Sequence, residues 1–273
     1  MIKKVHLTCK DKTNINNEQW EKCIDAYKKI YSDYEIIIYD NNDIYCIVEK
    51  HFPHFLEDIK KIQIGAVLAD IFRYLILYLE GGIYSDMDCE PIQKIDKLLN
   101  VNSVHFHGDE DRDNNFYVYP RNKVIANYQW DFTKNICNNC KYLTTKNSVG
   151  TFKCLGHNYV NENTDVIVCY EFADLQICQW FIISKPNQKV FLNCFKQCMD
   201  NIPTLQNLDK NSSEFNNLVM ENCGPGLFTK MILNDNSSNI CILPDEFFCC
   251  GSGSFVPKTK NSYVSHYFTG SWR

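Results

Sequence analysis

Three acids stand at alternate positions in Gly81-Gly82-Ile83-Tyr84-Ser85-Asp86-Met87-Asp88-Cys89-Glu90-Pro91. Carboxylate oxygens gathered this way are ligands for a hard divalent cation. Side chains at i and i+2 of a strand share a face, so an extended Asp86–Asp88 segment presents both carboxylates together. Glu90 falls on the same side, but Pro91 is expected to turn it away. An EF-hand also opens with D-x-D, yet it needs glycine at its sixth position, and here that position is Pro91. The plain alternative for alternating acids is the wet face of a strand.

The acids follow a segment, 65–80, that is apolar nearly all round, the pattern of a buried helix. Gly81-Gly82 ends it as a C-terminal cap would. Asp70 and Arg73 interrupt its apolar surface at i and i+3 and so share a face. Buried charges are costly unless paired and hydrogen-bonded. An internal ion pair meets that condition, and so does a polar patch facing a ligand, because a paired guanidinium keeps donors for a substrate oxygen.

The elements that must position these residues read as an α/β chain. Lys3–Thr8 is a first strand and 17–31 an amphipathic helix with Trp20, Cys23, Ile24, Tyr27 and Ile30 on one side. The run EIIIY at 35–39 is a buried parallel strand, closed by turn residues Asp40-Asn41-Asn42-Asp43. This β-α-β opening predicts a parallel sheet covered by helices, with ligands at the carboxyl ends of its strands. Further strands are expected at 83–88, within 103–119, and at 166–172, 240–244 and 262–268. Helices are expected at 175–183 and 187–201, divided by Pro186, and after the turn CGPG at 223–226; 205–217 reads as polar loop. The Asn-rich stretch at about 120–165 reads as an irregular insertion in one domain spanning 1–273.

The 273 residues are 45% hydrophobic and 22% charged, enough for a packed core, and the net charge of −5 argues against a nucleic-acid partner. Aromatic residues at 14% suit a deep core and sugar-stacking surfaces alike. The N-terminus MIKKVHLTCK lacks the apolar stretch of a signal peptide, and Asp70 and Arg73 break the longest apolar run. A soluble, cytoplasmic protein is therefore expected. Its 15 cysteines read mostly as free buried thiols. Cys137-x2-Cys140 followed by Cys154-x2-His157 has the spacing of a structural Zn²⁺ site that would staple the insertion, although a cysteine-rich chain also forms such pairs by chance. Cys249-Cys250 reads as packing, and His105 and His107 as core or surface residues of a strand.

The run from Ala69 and Asp70 through Arg73, Tyr74, Leu77, Tyr78, Gly81, Gly82, Tyr84 and Asp86 to Asp88 resembles the sugar-binding region of DXD glycosyltransferases. The chain is similar to glycosyltransferase family 32, which includes the fungal Golgi initiating mannosyltransferases; the large glucosylating bacterial toxins share the core motif. KKVHLT (3–8), QICQWFIISKPNQKVF (176–191), NCGPGLFTK (222–230) and HYFTGSW (266–272) resemble further family motifs in the family's order. The likeness thus covers almost the whole chain. Two departures stand out: Cys223 replaces a threonine before Gly224-Pro225, and Asn187-Gln188 replaces Gly-His after Lys185-Pro186.

The resemblance implies a GT-A fold, a Rossmann-like nucleotide-binding domain with a mainly parallel central sheet flanked by helices. It implies a retaining transferase that takes a sugar from a UDP- or GDP-linked donor to a glycan or protein-linked acceptor. Asp88 matches the acid that binds Mn²⁺ (or Mg²⁺) directly, and Asp86 the acid that holds the donor ribose and sugar and reaches the metal through water. Tyr84 matches a ring near the nucleotide, and Asp70 and Arg73 match groups bonding the donor sugar. His266 matches a C-terminal metal ligand, Ser271 and Trp272 match groups closing over the diphosphate, and His6 and Thr8 match positions near the base. A cation neutralises the diphosphate as the glycosidic bond breaks, with Arg73 and the Trp272 indole N–H adding electrostatic stabilisation. Same-face attack is favoured; Gln179, Asp174 and Glu171 are candidates for the opposite face of the sugar. A nucleotide-sugar hydrolase and a non-catalytic glycan-binding protein are the competing readings.

Overall fold

The computed structural model describes residues 2–99, 107–108, 130–131, 136–137, 153–154, 160, 163–171, 176–206, 209, 211–243, 245–251, 256, 258–259 and 261–269. The expected β-α-β opening is present: β1 (Lys4–Thr8) runs parallel to β2 (Glu35–Tyr39), with α1 (Glu18–Ile30) between them in sequence. The Asn17 side chain starts α1 by accepting from the backbone N–H groups of Gln19 and Trp20, and the helix buries Cys23, Ile24 and Tyr27. Asp40 to Asp43 do not form a closing turn. Asp40 caps α2 (Asn41–His51) in a capping box with Asp43. Turns and caps use the same side-chain-to-backbone bonds, so these residues alone do not tell them apart.

After α3 (Leu56–Lys60) comes α4 (Gly65–Leu79), buried along most of its length as its composition demands. The N–H groups of Glu80 and Gly81 close its last turn on Ile76 and Leu77, at 2.8 and 3.0 Å. Gly81 then takes φ 65° and Gly82 φ 92°. A Cβ on Gly81 would lie 2.6 Å from the backbone N of Pro186, and one on Gly82 2.8 Å from the Lys4 carbonyl oxygen. Both positions therefore require glycine, for conformation and for space.

The glycines deliver the chain into β3 (Gly82–Ser85), which pairs with β1 in parallel. β4 (Cys89–Pro91) and α5 (Asp96–Leu99) follow. Two short antiparallel pairs come next: β5 (His107–Gly108) with β8 (Lys153–Cys154), and β6 (Trp130–Asp131) with β7 (Ile136–Cys137). The rest of the strand expected within 103–119 and of the 120–165 insertion lies largely outside the described residues.

The second half comprises β9 (Val166–Glu171), β10 (Gln176–Ile177), β11 (Phe181–Ser184), α6 (Lys189–Asp200), α7 (Ile202–Gln206), α8 (Phe215–Asn222), α9 (Pro225–Asn234), β12 (Ile240–Leu243) and β13 (Val264–His266). The central sheet has the order β10-β9-β11-β3-β1-β2, with β12 on β9. Strands β1, β2, β3, β9 and β12 run one way and β10 and β11 the other, so five of seven are co-directional and the sheet is mainly parallel. Helices α4 and α6 pack on each other.

The helix expected at 175–183 is absent; that stretch forms β10 and β11. A short apolar run has no periodicity that separates strand from helix, and here Ile182 and Ile183 pair with Tyr84 and Ile83 in the sheet centre. The polar loop expected at 205–217 ends in α8. The twelve cysteines whose side chains are described are free thiols, and all but Cys46 are buried. Among the described residues no helix is long and apolar enough to cross a membrane.

Candidate active site

The parallel register sets Thr8 beside Tyr39 and Leu7 beside Ser85, so β1, β2 and β3 end at one edge of the sheet. Asp86 is the next residue. The strand stops at Ser85: Asp86 donates its N–H to the Trp180 carbonyl at 2.9 Å, and Cys89 donates back to the Asp86 carbonyl at 3.1 Å. Asp86 to Asp88 therefore form a turn, and the expected shared strand face does not exist. The two carboxylates part company instead.

Asp86 turns toward α4. Its Oδ1 accepts from Arg73 Nη2 at 3.0 Å and from the Tyr84 hydroxyl at 2.9 Å. Arg73 Nη1 pairs with Asp70 Oδ1 at 3.0 Å, and the guanidinium lies 4.8 Å from the Tyr84 ring centre. One cation thus bridges two carboxylates. Gln179 Nε2 donates to Asp70 Oδ1 at 3.1 Å and to the Tyr74 hydroxyl at 2.7 Å, and the Cys223 thiol donates to Asp70 Oδ2 at 3.5 Å. Asp70 and Arg73 are only 6% and 5% exposed, whereas the Asp86 side chain is 30% exposed and is the outlet of the network. Burial pushes the Asp70 carboxyl up to about 7 against the pull of Arg73. The helix charges are therefore an internal ion pair first, with little surface left for a ligand.

Asp88 turns toward the C-terminal segment. β4 pairs with β13 so that Cys89 stands opposite His266, and His266 Nε2 lies 3.1 Å from Asp88 Oδ1. Residues 267–269 wrap the acid. The Tyr267 N–H bonds the Asp88 carbonyl at 3.0 Å, and the Thr269 N–H and hydroxyl both donate to Asp88 Oδ2 at 2.9 Å. Phe268 makes this turn with φ 50°, a conformation uncommon outside glycine. His266 packs against the rings of Trp180 and Phe268, at 4.4 and 4.0 Å between centres, and those two rings also touch each other at 5.1 Å. Burial works to raise the Asp88 carboxyl, but the hydrogen bond and charge of His266, with Thr269, hold it down at about 2.

Asp88, Cys89 and His266 bring one possible ligand atom each within 4.8 Å of one another. Two cis ligands of an octahedral ion with bonds of ~2.1 Å stand ~3 Å apart, and the Asp88–His266 separation fits that edge. The nitrogen that faces Asp88 is Nε2, while the buried Nδ1 on the other side of the ring has no hydrogen-bond partner. A carboxylate and an imidazole are suitable donors for a hard divalent cation. Asp86 does not belong to that cluster.

His6 is fully buried inside the sheet, with Nδ1 on the Tyr39 hydroxyl and Nε2 on the Gly81 carbonyl. Burial lowers its pKa, partly offset by the Gly81 bond. It supports the glycine turn and has no free ring nitrogen for a base. Thr8 is half-buried at the strand end and donates to the Tyr39 carbonyl at 3.3 Å. Glu90 lies on β4, bonded by the Tyr267 hydroxyl, and Pro91 continues that strand opposite Val264. Glu171 is buried on β9. Ser271, Trp272, Asp174, His105, Cys140 and His157 lie outside the described residues, as do the side chains of Cys137, Cys154 and His107. Sequence reasoning missed Thr269 and Trp180; both lie inside quoted motifs, but nothing in their residue type marks them as partners of Asp88 and His266.

Residues 17–105 match the family described as "Glycosyltransferase sugar-binding region containing DXD motif". The matched segment builds α1, α4, β3 and both acids, and includes the run on which the sequence resemblance rests. The initiation-specific alpha-1,6-mannosyltransferase of Schizosaccharomyces pombe is 25% identical over 228 residues, 75% of this chain and 46% of that protein. A mannosyl phosphorylinositol ceramide synthase of Saccharomyces cerevisiae is 34% identical over 94 residues, 33% of this chain and 24% of the relative. The chain thus spans less than half the length of these relatives. Among solved structures, the PaToxG glycosyltransferase aligns with a TM-score of 0.44 and 16% identity, covering 85% of this chain and 68% of its own.

Proposed function

We propose that this chain is a metal-dependent glycosyltransferase of GT-A type. It moves a sugar from a UDP- or GDP-linked donor to a glycan or protein-linked acceptor with retention of anomeric configuration. The observation that carries this is the meeting of Asp88 and His266, 178 residues apart, at 3.1 Å beside the Asp86–Arg73–Asp70 network.

Asp88 and His266 would hold Mn²⁺ or Mg²⁺, which when bound supplies positive charge against the diphosphate leaving group. Asp86 offers its exposed edge to donor hydroxyls, while Arg73 and Tyr84 fix its orientation. Thr269 and the rings of Trp180 and Phe268 keep Asp88 and His266 in place. Ser271 and Trp272 follow directly in the chain and are assigned to the diphosphate. The acceptor attacks from the face that the leaving group departs.

The test is a thermal-shift screen of nucleotide sugars with and without Mn²⁺. The true donor raises the melting temperature only with the metal, and Asp88→Asn abolishes that dependence. Unchanged Mn²⁺-dependent binding in Asp88→Asn, measured by calorimetry, sinks the metal assignment. Acceptor sugars should accelerate donor turnover; turnover indifferent to every acceptor would favour a hydrolase.

A further inference from the structure

Three cysteines far apart in sequence meet inside the fold, and one of them, Cys178, interacts electrostatically with Cys89 and His266. Cys169 lies on β9, Cys178 just after β10, and Cys249 just after a 3-10 turn at Asp245–Phe247. All are buried. The Cys169 and Cys249 sulfurs are 3.3 Å apart, and all three sulfurs lie within 4.8 Å of one another. Their surroundings are ordered: Cys178 donates its N–H to the Cys169 carbonyl at 2.8 Å, and the Cys249 thiol donates to the Tyr170 carbonyl at 3.2 Å.

A fourth group lies on the same strand as Cys169. Glu171 follows Cys169 by two residues on β9, and so projects from the same face of the strand. It is 3% exposed, and its Oε2 has no hydrogen-bond partner. Its carboxyl interacts electrostatically with Cys178. A buried carboxylate oxygen with nothing bonded to it costs about 1–3 kcal/mol or more. Packing of three thiols does not explain that oxygen; it stands outside the 4.8 Å sulfur cluster, so a change of the Glu171 rotamer would be needed to bring it to an ion held there.

We propose that Cys169, Cys178 and Cys249, with Glu171 Oε2 as the fourth donor, bind one structural zinc ion. Thiolate sulfur selects zinc over the hard cations suited to Asp88. Tetrahedral zinc with bonds of ~2.3 Å sets its sulfurs ~3.8 Å apart, and the separations here, from 3.3 Å to at most 4.8 Å, bracket that distance. Binding sends the three thiol protons and the carboxyl proton to solvent. The resulting centre has the same net charge as a four-cysteine zinc site.

The ion would staple the β9–β11 region of the sheet to the segment around Cys249. That segment leads toward His266, since the next residue, Cys250, bridges to Ser265 of β13. The proposal is independent of the transferase function and of the Cys137–His157 spacing.

The test is metal analysis of the full chain after dialysis in metal-free buffer, followed by replacement of zinc with cobalt(II). Both are repeated in Asp88→Asn and in Cys137→Ser/Cys140→Ser. One zinc per chain and a sulfur-to-cobalt charge-transfer band are expected in all three proteins, and chelation should lower the melting temperature. Cys249→Ser should lose most of the band, and Glu171→Gln should weaken zinc binding by ~10-fold or more. Wild-type protein without zinc and without the cobalt band overturns the proposal. So does a band that survives Cys249→Ser or disappears in Cys137→Ser/Cys140→Ser, or an intact mass showing a Cys169–Cys249 disulfide. The wild-type measurements decide the matter even if Cys249→Ser does not fold.

Discussion

Asp86 and Asp88 are neighbours but one in sequence, yet they belong to two differently built regions. The Asp86 region is local: Asp70, Arg73, Tyr84 and Asp86 come from a helix and the strand after it, and one guanidinium neutralises both acids. The Asp88 region is long-range: its partners His266 and Thr269 arrive 178 and 181 residues later. The first is closed and internally paired. The second leaves a buried imidazole nitrogen unpartnered. The local region pairs its charges within one helix and the next strand, whereas the long-range region forms only when the C-terminal segment reaches Asp88.

The largest effect should come from breaking the local region. Arg73→Met leaves Asp70 and Asp86 without their shared cation and should cost about 3–5 kcal/mol in urea unfolding. A loss below about 1 kcal/mol would mean the pair behaves like a surface one.

The long-range region should report itself through pH. The Asp88 pKa is depressed from 3.8 to about 2. A depressed acid contributes its stability above the unfolded pKa and loses it as pH falls through the folded one. Metal-free protein should therefore lose roughly 2 kcal/mol between pH 4.5 and pH 2 that Asp88→Asn does not lose. Parallel pH profiles for the two proteins would remove His266 and Thr269 as Asp88's stabilisers.

Smaller changes sharpen the contrast. Tyr84→Phe removes a donor to Asp86 and should cost about 1 kcal/mol; under the proposed function it should also loosen that carboxylate and raise KM for the nucleotide sugar. Thr269→Val removes only the hydroxyl, since the backbone N–H still serves Asp88, and should cost less than about 1 kcal/mol. A Thr269→Val effect larger than that of Tyr84→Phe would reverse the ranking of the two regions.

Much of this was legible before the structure. The nearly all-round apolar composition at 65–80 announced α4, and the i, i+3 spacing of Asp70 and Arg73 announced that they share a face, leaving ion pair and ligand patch both open. Asn17, at the start of the expected helix, has the residue type of its cap. The strands at 175–183 were not legible, because a short run of Ile, Trp and Phe suits a buried strand and a buried helix equally. Asp40 to Asp43 misled for a related reason, since the same side chains close turns and open helices.

Residue types and spacing by themselves determined a buried helix with two charges on one face, a glycine stop, and acids delivered to the carboxyl edge of a parallel sheet. Those features are local: helical periodicity, positive φ and the parallel register each act over a few residues or one element. The direction of each acid was decided by the tertiary structure alone. Alternation governs side chains only while the strand lasts, and β3 ends at Ser85, so the turn sends Asp86 back to Arg73 and Asp88 on to His266. The gathering of Cys169, Cys178 and Cys249 around one point was likewise set by packing, because sulfurs 71 residues apart in sequence, as Cys178 and Cys249 are, meet only when the sheet is assembled.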